Sequence, residues 1–446
     1  MSEANTIGKD FSTRELIRFT APPVISQFAM SLLSTLDDGL FISRYVGPNA
    51  LAAFSIAMPV FMLMMAVSEL FNGASVLCST KMGEGKNEEA RRNFTSIVSL
   101  AAGFGVLFSL ITAVFMDPII RFLGGTDVLF PYIKIFLSVG VWYLPLILVN
   151  HVYGRFYVPS GNSGMSLYTT LLNAVCNFFF DWLFIVKMDL GMIGGAYANL
   201  IAHVLLFIIG TVYYNRKKSE IRFARPKENM FAVLSQSVRF GFPPFLTNMA
   251  IAVNAFIANQ VLLRVGGEES VTAYTIINNI QFMFMSGLFG LSGAVSPIVS
   301  FAYGEKNKAK IRKTIGQIIK LTTGLVLIII LTYLLGKNLL LSLYLKSDAS
   351  PNIRQMAAHG LTIAPMGFLF FGYNVLAIDT FLALHEKKIS TALTFLENLI
   401  FANLTILTLP RLFGVTGVWY AFPIGEILTF GGTLFFVLRR KNRYLV

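Results

Sequence analysis

"GEGKNEEARR", Gly83–Arg92, returns 221 residues further on as "GEKNKAKIRK", Gly304–Lys313, with Arg91-Arg92 falling on Arg312-Lys313. Other landmarks keep the same order at nearly the same spacing. "APP" at Ala21–Pro23 matches "FPP" at Phe242–Pro244, Pro145 matches Pro365, and "GMIGGAYA" from Gly191 matches "GVTGVWYA" from Gly414. The chain is written twice.

The repeated material is apolar. Of the 446 residues, 55% are hydrophobic and only 13% charged, against about 25% charged in ordinary soluble proteins. Runs such as "FTSIVSLAAGFGVLFSLITAVF" and "IIKLTTGLVLIIILTYLLG" are long enough to cross a hydrocarbon core of roughly 30 Å. We read twelve spans, near residues 15–43, 51–79, 94–116, 128–153, 164–186, 192–214, 236–263, 272–301, 315–336, 357–384, 389–410 and 415–438. The expected fold class is therefore an all-α membrane protein, twelve transmembrane helices in two six-helix lobes. An even number of spans per copy keeps both copies in one orientation, which implies a pseudo-two-fold axis along the membrane normal. Transporters built this way bind substrate between the halves and rock them for alternating access. The expected division is 1–214 for the N-terminal lobe, 215–228 for a cytoplasmic linker and 229–446 for the C-terminal lobe.

A formal charge of +13 would suggest nucleic acid in a soluble protein. Here the sidedness accounts for it: 25 Lys and Arg fall in the termini and loops of one side and 9 in those of the other. The positive-inside rule puts both termini and the basic segment 215–228 in the cytoplasm, so no nucleic-acid partner is expected. The first 14 residues are polar and the first apolar stretch is a full span, so a multi-pass protein of a bacterial inner membrane without a signal peptide is expected. Cys78 and Cys176 stand alone in apolar segments, with neither metal-ligand spacing nor a disulfide framework. No Walker loop, nucleophile elbow or metal-binding helix is present. An enzyme is not expected, and energy for transport would come from an ion gradient.

Polar residues inside the spans mark where such an ion could act. Asp37 and Asp38 sit together in "LLSTLDDGLF", and an acid at the centre of a membrane helix costs roughly 2.5–3.5 kcal/mol. Asn177 and Asp181 in "NFFFD" are four residues apart and share a helix face. Asn199 lies in the next span within "GGAYANLIAH". Carboxylate and amide oxygens suit a hard cation such as Na⁺. Two acids in low dielectric could instead share a proton, and an interhelical hydrogen-bonding network is the structural alternative. In the second half, Asp379, Glu397 and Glu426 are candidates for lining a substrate cavity. The proline pairs Pro22-Pro23 and Pro243-Pro244 are candidate bending points, or mark where an amphipathic turn meets the span.

These residues resemble the multidrug and toxin extrusion (MATE) family. "DDGLFISRYVGPNALAA" is similar to its first-span and loop signature, "GEGKNEEARR" to its next cytoplasmic loop, "NFFFDWLFI" with "GGAYAN" to its fifth and sixth spans, and "GVWYAFPIGEILT" to its last span. The resemblance covers nearly the whole chain. It implies two six-helix lobes and export of amphipathic, often cationic compounds in exchange for Na⁺ or H⁺, with no cofactor beyond the coupling ion. It carries the first-span acid onto Asp38, leaving Asp37 as an extra acid. The ion site falls on Asn177, Asp181 and Asn199, the last where the family commonly has Thr, and the kink-forming proline on Pro23. A monomer in the lipid bilayer handling small amphipathic or cationic substrates is expected. A lipid-linked precursor flippase of the same superfamily is the alternative, though neither extra spans nor a strongly cationic cavity is visible. A channel or receptor is the alternative from another class.

Overall fold

The computed structural model describes residues 6–33, 41–217, 219–227, 229–345 and 350–444. Asp37 and Asp38 lie outside the described residues.

The first-copy helices are α1 (Thr13–Leu33), α2 (Pro48–Asn72), α3 (Ala74–Gly83), α4 (Asn87–Val114), α5 (Met116–Phe122), α6 (Phe130–Phe156), α7 (Gly164–Asp181) and α8 (Met192–Asn215). The second copy gives α9 (Met230–Gly304), α10 (Lys308–Tyr344), α11 (Pro351–Ile363), α12 (Pro365–Ala383), α13 (Lys387–Phe395), α14 (Ala402–Phe413) and α15 (Val415–Tyr444). Among the described residues, ten helical stretches are long and apolar enough to cross a membrane. One of them, α9, holds two spans, because Gly267 leaves helical geometry with φ 70° and ψ −169°. With α1, the twelve spans are accounted for in an all-helical fold of two six-span halves.

The two copies match in backbone detail as well as in sequence. Gly191 and Gly414, equivalent in the repeat, have φ 57° and 58° and open the sixth span of each copy. Positive φ is cheap only without a Cβ, which explains glycine at both places. Each copy also widens into a π-type turn in its fifth span, at Trp182–Lys187 and Leu396–Phe401.

The chain gathers into two compact units, 1–9 with 29–241 and 10–28 with 242–446. These boundaries differ from the repeat boundary in two places: residues 10–28 of α1 pack with the second unit, and the start of α9 packs with the first. Small residues make both arrangements possible. Gly290 faces the α1 backbone so closely that a Cβ on it would lie 2.8 Å from the Pro23 carbonyl. In the first unit, a Cβ on Gly241 would lie 2.1 Å from the Glu69 carbonyl, and one on Gly73 would lie 2.1 Å from the Ser237 carbonyl. Ser237 Oγ completes the crossing by donating to the Leu70 and Phe71 carbonyls, each at 2.8 Å. Neither proline pair ends a helix: Pro22-Pro23 lie within α1 and Pro243-Pro244 within α9. The tenth span does break. Read from sequence as one stretch, 357–384, it divides into α11 and α12 at Pro365, which lacks the N–H that would continue the ladder.

In the first unit α6 is the central helix, packed against α2, α4 and α8. Pro145 within it cannot bond the Val141 carbonyl, and Ser109 Oγ on α4 donates to that orphaned oxygen. Ser109→Ala should cost about 1–3 kcal/mol, the penalty for a buried unpartnered carbonyl. A lowered melting temperature of the detergent-solubilised protein would register it, and an unchanged one would show that the carbonyl is satisfied otherwise. The second unit is built around Ile277, Phe284, Tyr333, Phe368 and Trp419, with Phe28 of α1 packed against them.

Segment 215–228, read from sequence as a solvated basic loop, is docked on α4. Phe223 joins Phe94, Tyr153 and Tyr214 in an aromatic cluster. Thr95 Oγ1 accepts from Ala224 N at 3.0 Å, Ser96 Oγ from Lys227 N at 2.9 Å, and Arg91 Nε donates to the Glu220 carbonyl at 3.0 Å. One apolar ring and a few small hydroxyls order the segment despite its charge.

Candidate functional site

Asn173, Asn177 and Asp181 follow one another at four-residue spacing along α7, so their side chains share a face. Asp181, the last residue before the π-type turn, is 2% exposed. The side-chain carbonyl oxygens of Asn173 and Asn177 are buried and have no hydrogen-bond partner among the described residues. On the adjacent α8, Gly195 leaves room for the carboxylate: a Cβ there would sit 3.9 Å from Asp181 Oδ1. The Gly195 carbonyl accepts from Asn199 Nδ2 at 3.1 Å. Ile42 also approaches this Cβ position, at 3.6 Å. Ile42 and Phe41 are buried, and Phe41 packs edge-on to Phe178 at 5.3 Å. The chain re-enters described structure beside α7 and α8, three residues after Asp38.

A buried carboxylate next to amide oxygens that accept no hydrogen bond is suited to a cation taken from solution. The oxygen-rich donor set fits a hard ion such as Na⁺. It equally suits a proton, since a protonated carboxyl would donate to an amide carbonyl. Among the described residues no three His, Cys, Asp or Glu side chains converge to hold a metal ion. Asn173 was not singled out from sequence. Its signal was present, one turn before Asn177 on the same face.

Other polar groups of the first unit are committed elsewhere. Glu69 is paired with Arg155 at 3.1 Å. Asn150 Nδ2 donates to the His203 carbonyl at 2.9 Å, and the His203 ring stacks on Tyr143 at 5.4 Å between centroids.

In the second unit, the three acids read as cavity candidates are drawn into one polar cluster. Glu397 on the π-type turn of the fifth span and Glu426 on α15 are 7% and 6% exposed. Glu397 lies within electrostatic reach of Glu426 and Asp379, and its Oε1 has no hydrogen-bond partner among the described residues. Asn374 on α12, fully buried, donates to Glu426 Oε2 at 2.8 Å and accepts from Thr433 Oγ1 at 2.9 Å. Ser292 Oγ donates to Asp379 Oδ2 at 2.6 Å. Asn374 and Ser292 were missed in the sequence, where nothing distinguishes them from other small polar residues in apolar spans.

A twelve-span, twice-written bundle with carboxylates enclosed in both units defines a multi-pass membrane protein of the transporter class. The MatE family model matches residues 22–183 and 243–406, once in each copy, and the chain belongs to the multidrug and toxin extrusion family. Among curated proteins it is 22% identical to the multidrug export protein MepA of Staphylococcus haemolyticus, over 97% of this chain and 95% of that one. It is 23% identical to MepA of Staphylococcus aureus strain N315, again over 97% and 95%. Among solved structures it superposes with a TM-score of 0.89 on an outward-facing conformation of a multidrug resistance MATE family transporter, 22% identical over 97% of both chains. A MOP superfamily transporter from Pyrococcus furiosus, described as having a binding pocket of reverse polarity, superposes with a TM-score of 0.87 at 21% identity over 96% of both.

Proposed function

We propose that this protein is an ion-gradient-driven antiporter that exports amphipathic, often cationic compounds by alternating access, with Na⁺ or H⁺ as the coupling ion. Asp38, Asn177, Asp181 and Asn199 form the coupling site, and Asp37 flanks it. The observation that carries the reading is the enclosed α7–α8 corner, where Asp181 lies against Gly195 and the buried Asn177 oxygen accepts no bond. The curated relatives named for multidrug export agree with the substrate class. The reading includes the cytoplasmic membrane of a bacterium and action as a monomer, with both termini inside, an orientation that the charge bias of the loops supports.

In the outward-facing state the ion enters and neutralises the Asp38–Asp181 cluster. The first span then bends near Pro23, bound compound leaves, and the ion is released inside after the lobes 1–214 and 229–446 rock back. Coupling requires ion and compound to favour different states, since a ligand without preference shifts nothing. Asp379, Glu397 and Glu426 supply negative charge on the second lobe's side of the substrate path. Asn177→Ala tests the amide's part. It should raise the ion concentration for half-maximal drive on the order of tenfold, the value of a charge-assisted contact, with dye binding in the absence of a gradient unchanged. Unchanged ion dependence would remove Asn177 from the site.

A further inference from the structure

The repeated loop that opened the reading of the chain is also where the two copies part. Beside Gly83–Arg92 lies an open recess of about 610 Å³, lined in part by Lys81, Glu89, Arg92, Asn93 and Lys227. Lys81, Lys227 and Arg92 line it together with Glu89, and Lys81 also pairs with Glu84 at 3.1 Å. Glu89 is shared between Lys227 at 2.6 Å and Lys81 at 3.7 Å. Arg92 is left over: its Nε is buried and its side chain has no hydrogen-bond or ion-pair partner among the described residues. The next residue, Asn93, is 2% exposed, and its Oδ1 is likewise buried without a partner.

The second unit shows what the first lacks. Lys313, the repeat mate of Arg92, pairs at 2.6 Å with Asp10 of the segment leading into α1. The same 221-residue offset carries Asp10 onto Phe231, in the first turn of α9. Phe231 is 72% exposed and offers Arg92 no acceptor. Lys313 is paired with a carboxylate of the chain, whereas Arg92 has none among the described residues. A buried guanidinium nitrogen without an acceptor is costly, as is a buried amide oxygen without a donor, and both adjoin a recess of ligand size.

We propose that this recess binds a phosphate group that also carries a hydroxyl, with Arg92 holding the phosphate oxygens and Asn93 Oδ1 accepting from the hydroxyl. Arg forks match phosphate oxygens in pairs, and Lys81 and Lys227 add charge at the rim. That chemistry is shared by a phosphatidylglycerol headgroup and by soluble glycerol phosphate, and the site is independent of the transport cycle proposed for the spans.

The test is thermal unfolding of the full-length purified protein in two arms: detergent solution with glycerol phosphate, and nanodiscs of phosphatidylglycerol compared with phosphatidylcholine. One arm should raise the melting temperature and identify the source. Arg92→Gln should weaken the response on the order of tenfold. Gln236→Glu, a change at an exposed position on the recess lining, adds a carboxylate that should repel the phosphate and abolish the response with the fold intact. No stabilisation in either arm would overturn the proposal, as would a response retained by folded Gln236→Glu or by folded Arg92→Gln.

Discussion

Asp181→Asn is expected to abolish gradient-driven efflux while leaving the protein inserted and folded. Asparagine has nearly the shape of aspartate, so packing against Gly195 survives, and only the charge that an ion would neutralise is lost. The carboxylate is 2% exposed, and a charge so enclosed is kept at a cost of several kcal/mol unless something neutralises it. The variant should remain folded and inserted, while dye export under an imposed gradient falls to the level of empty vesicles. Full export by the folded variant would remove Asp181 from coupling. A large loss of stability would mean instead that the carboxylate serves the packing of α7 on α8.

Gly241→Ala should produce a large loss of stability in the first unit. The new Cβ would fall 2.1 Å from the Glu69 carbonyl and 2.7 Å from the Leu70 Cα, both backbone atoms with no rotamer to escape through. Overpacking typically costs about 1–3 kcal/mol, and sometimes more; contact with backbone on an opposing helix puts this site at the upper end. The crossing lies just before Pro243-Pro244, so it fastens the start of α9 at the point where the helix passes into the second unit. The expected result is a melting temperature lowered by several degrees with slower efflux from what remains folded. An unchanged melting temperature would show that the two helices separate freely at this crossing.

The twelve spans and the doubling of the chain were legible because they rest on hydropathy and spacing, which survive wide changes in sequence. The juxtaposition of Asn177 with Asp181 followed from helical periodicity alone. What escaped depends on the absence of a side chain. Gly73, Gly241 and Gly290 decide which unit α1 and the start of α9 pack with, yet each is an ordinary glycine in an apolar run. Phe223 was hidden for the opposite reason: one ring amid six Lys and Arg of the 215–228 segment looked like part of a solvated loop. The pairing of Asn374 with Glu426 needs two helices 52 residues apart to come into register, which no local pattern reports. The three acids of the second copy were legible as residues, but not as one cluster.

The central claim is that an ion gradient drives export, and the most direct measurement is efflux of a cationic dye from proteoliposomes under an imposed Na⁺ gradient or an imposed pH gradient, one at a time. Uphill export driven by one of the two and collapsed by dissipating it is the predicted result, and it names the coupling ion. Absence of drive under both gradients, with folded protein and several dyes, would contradict the account.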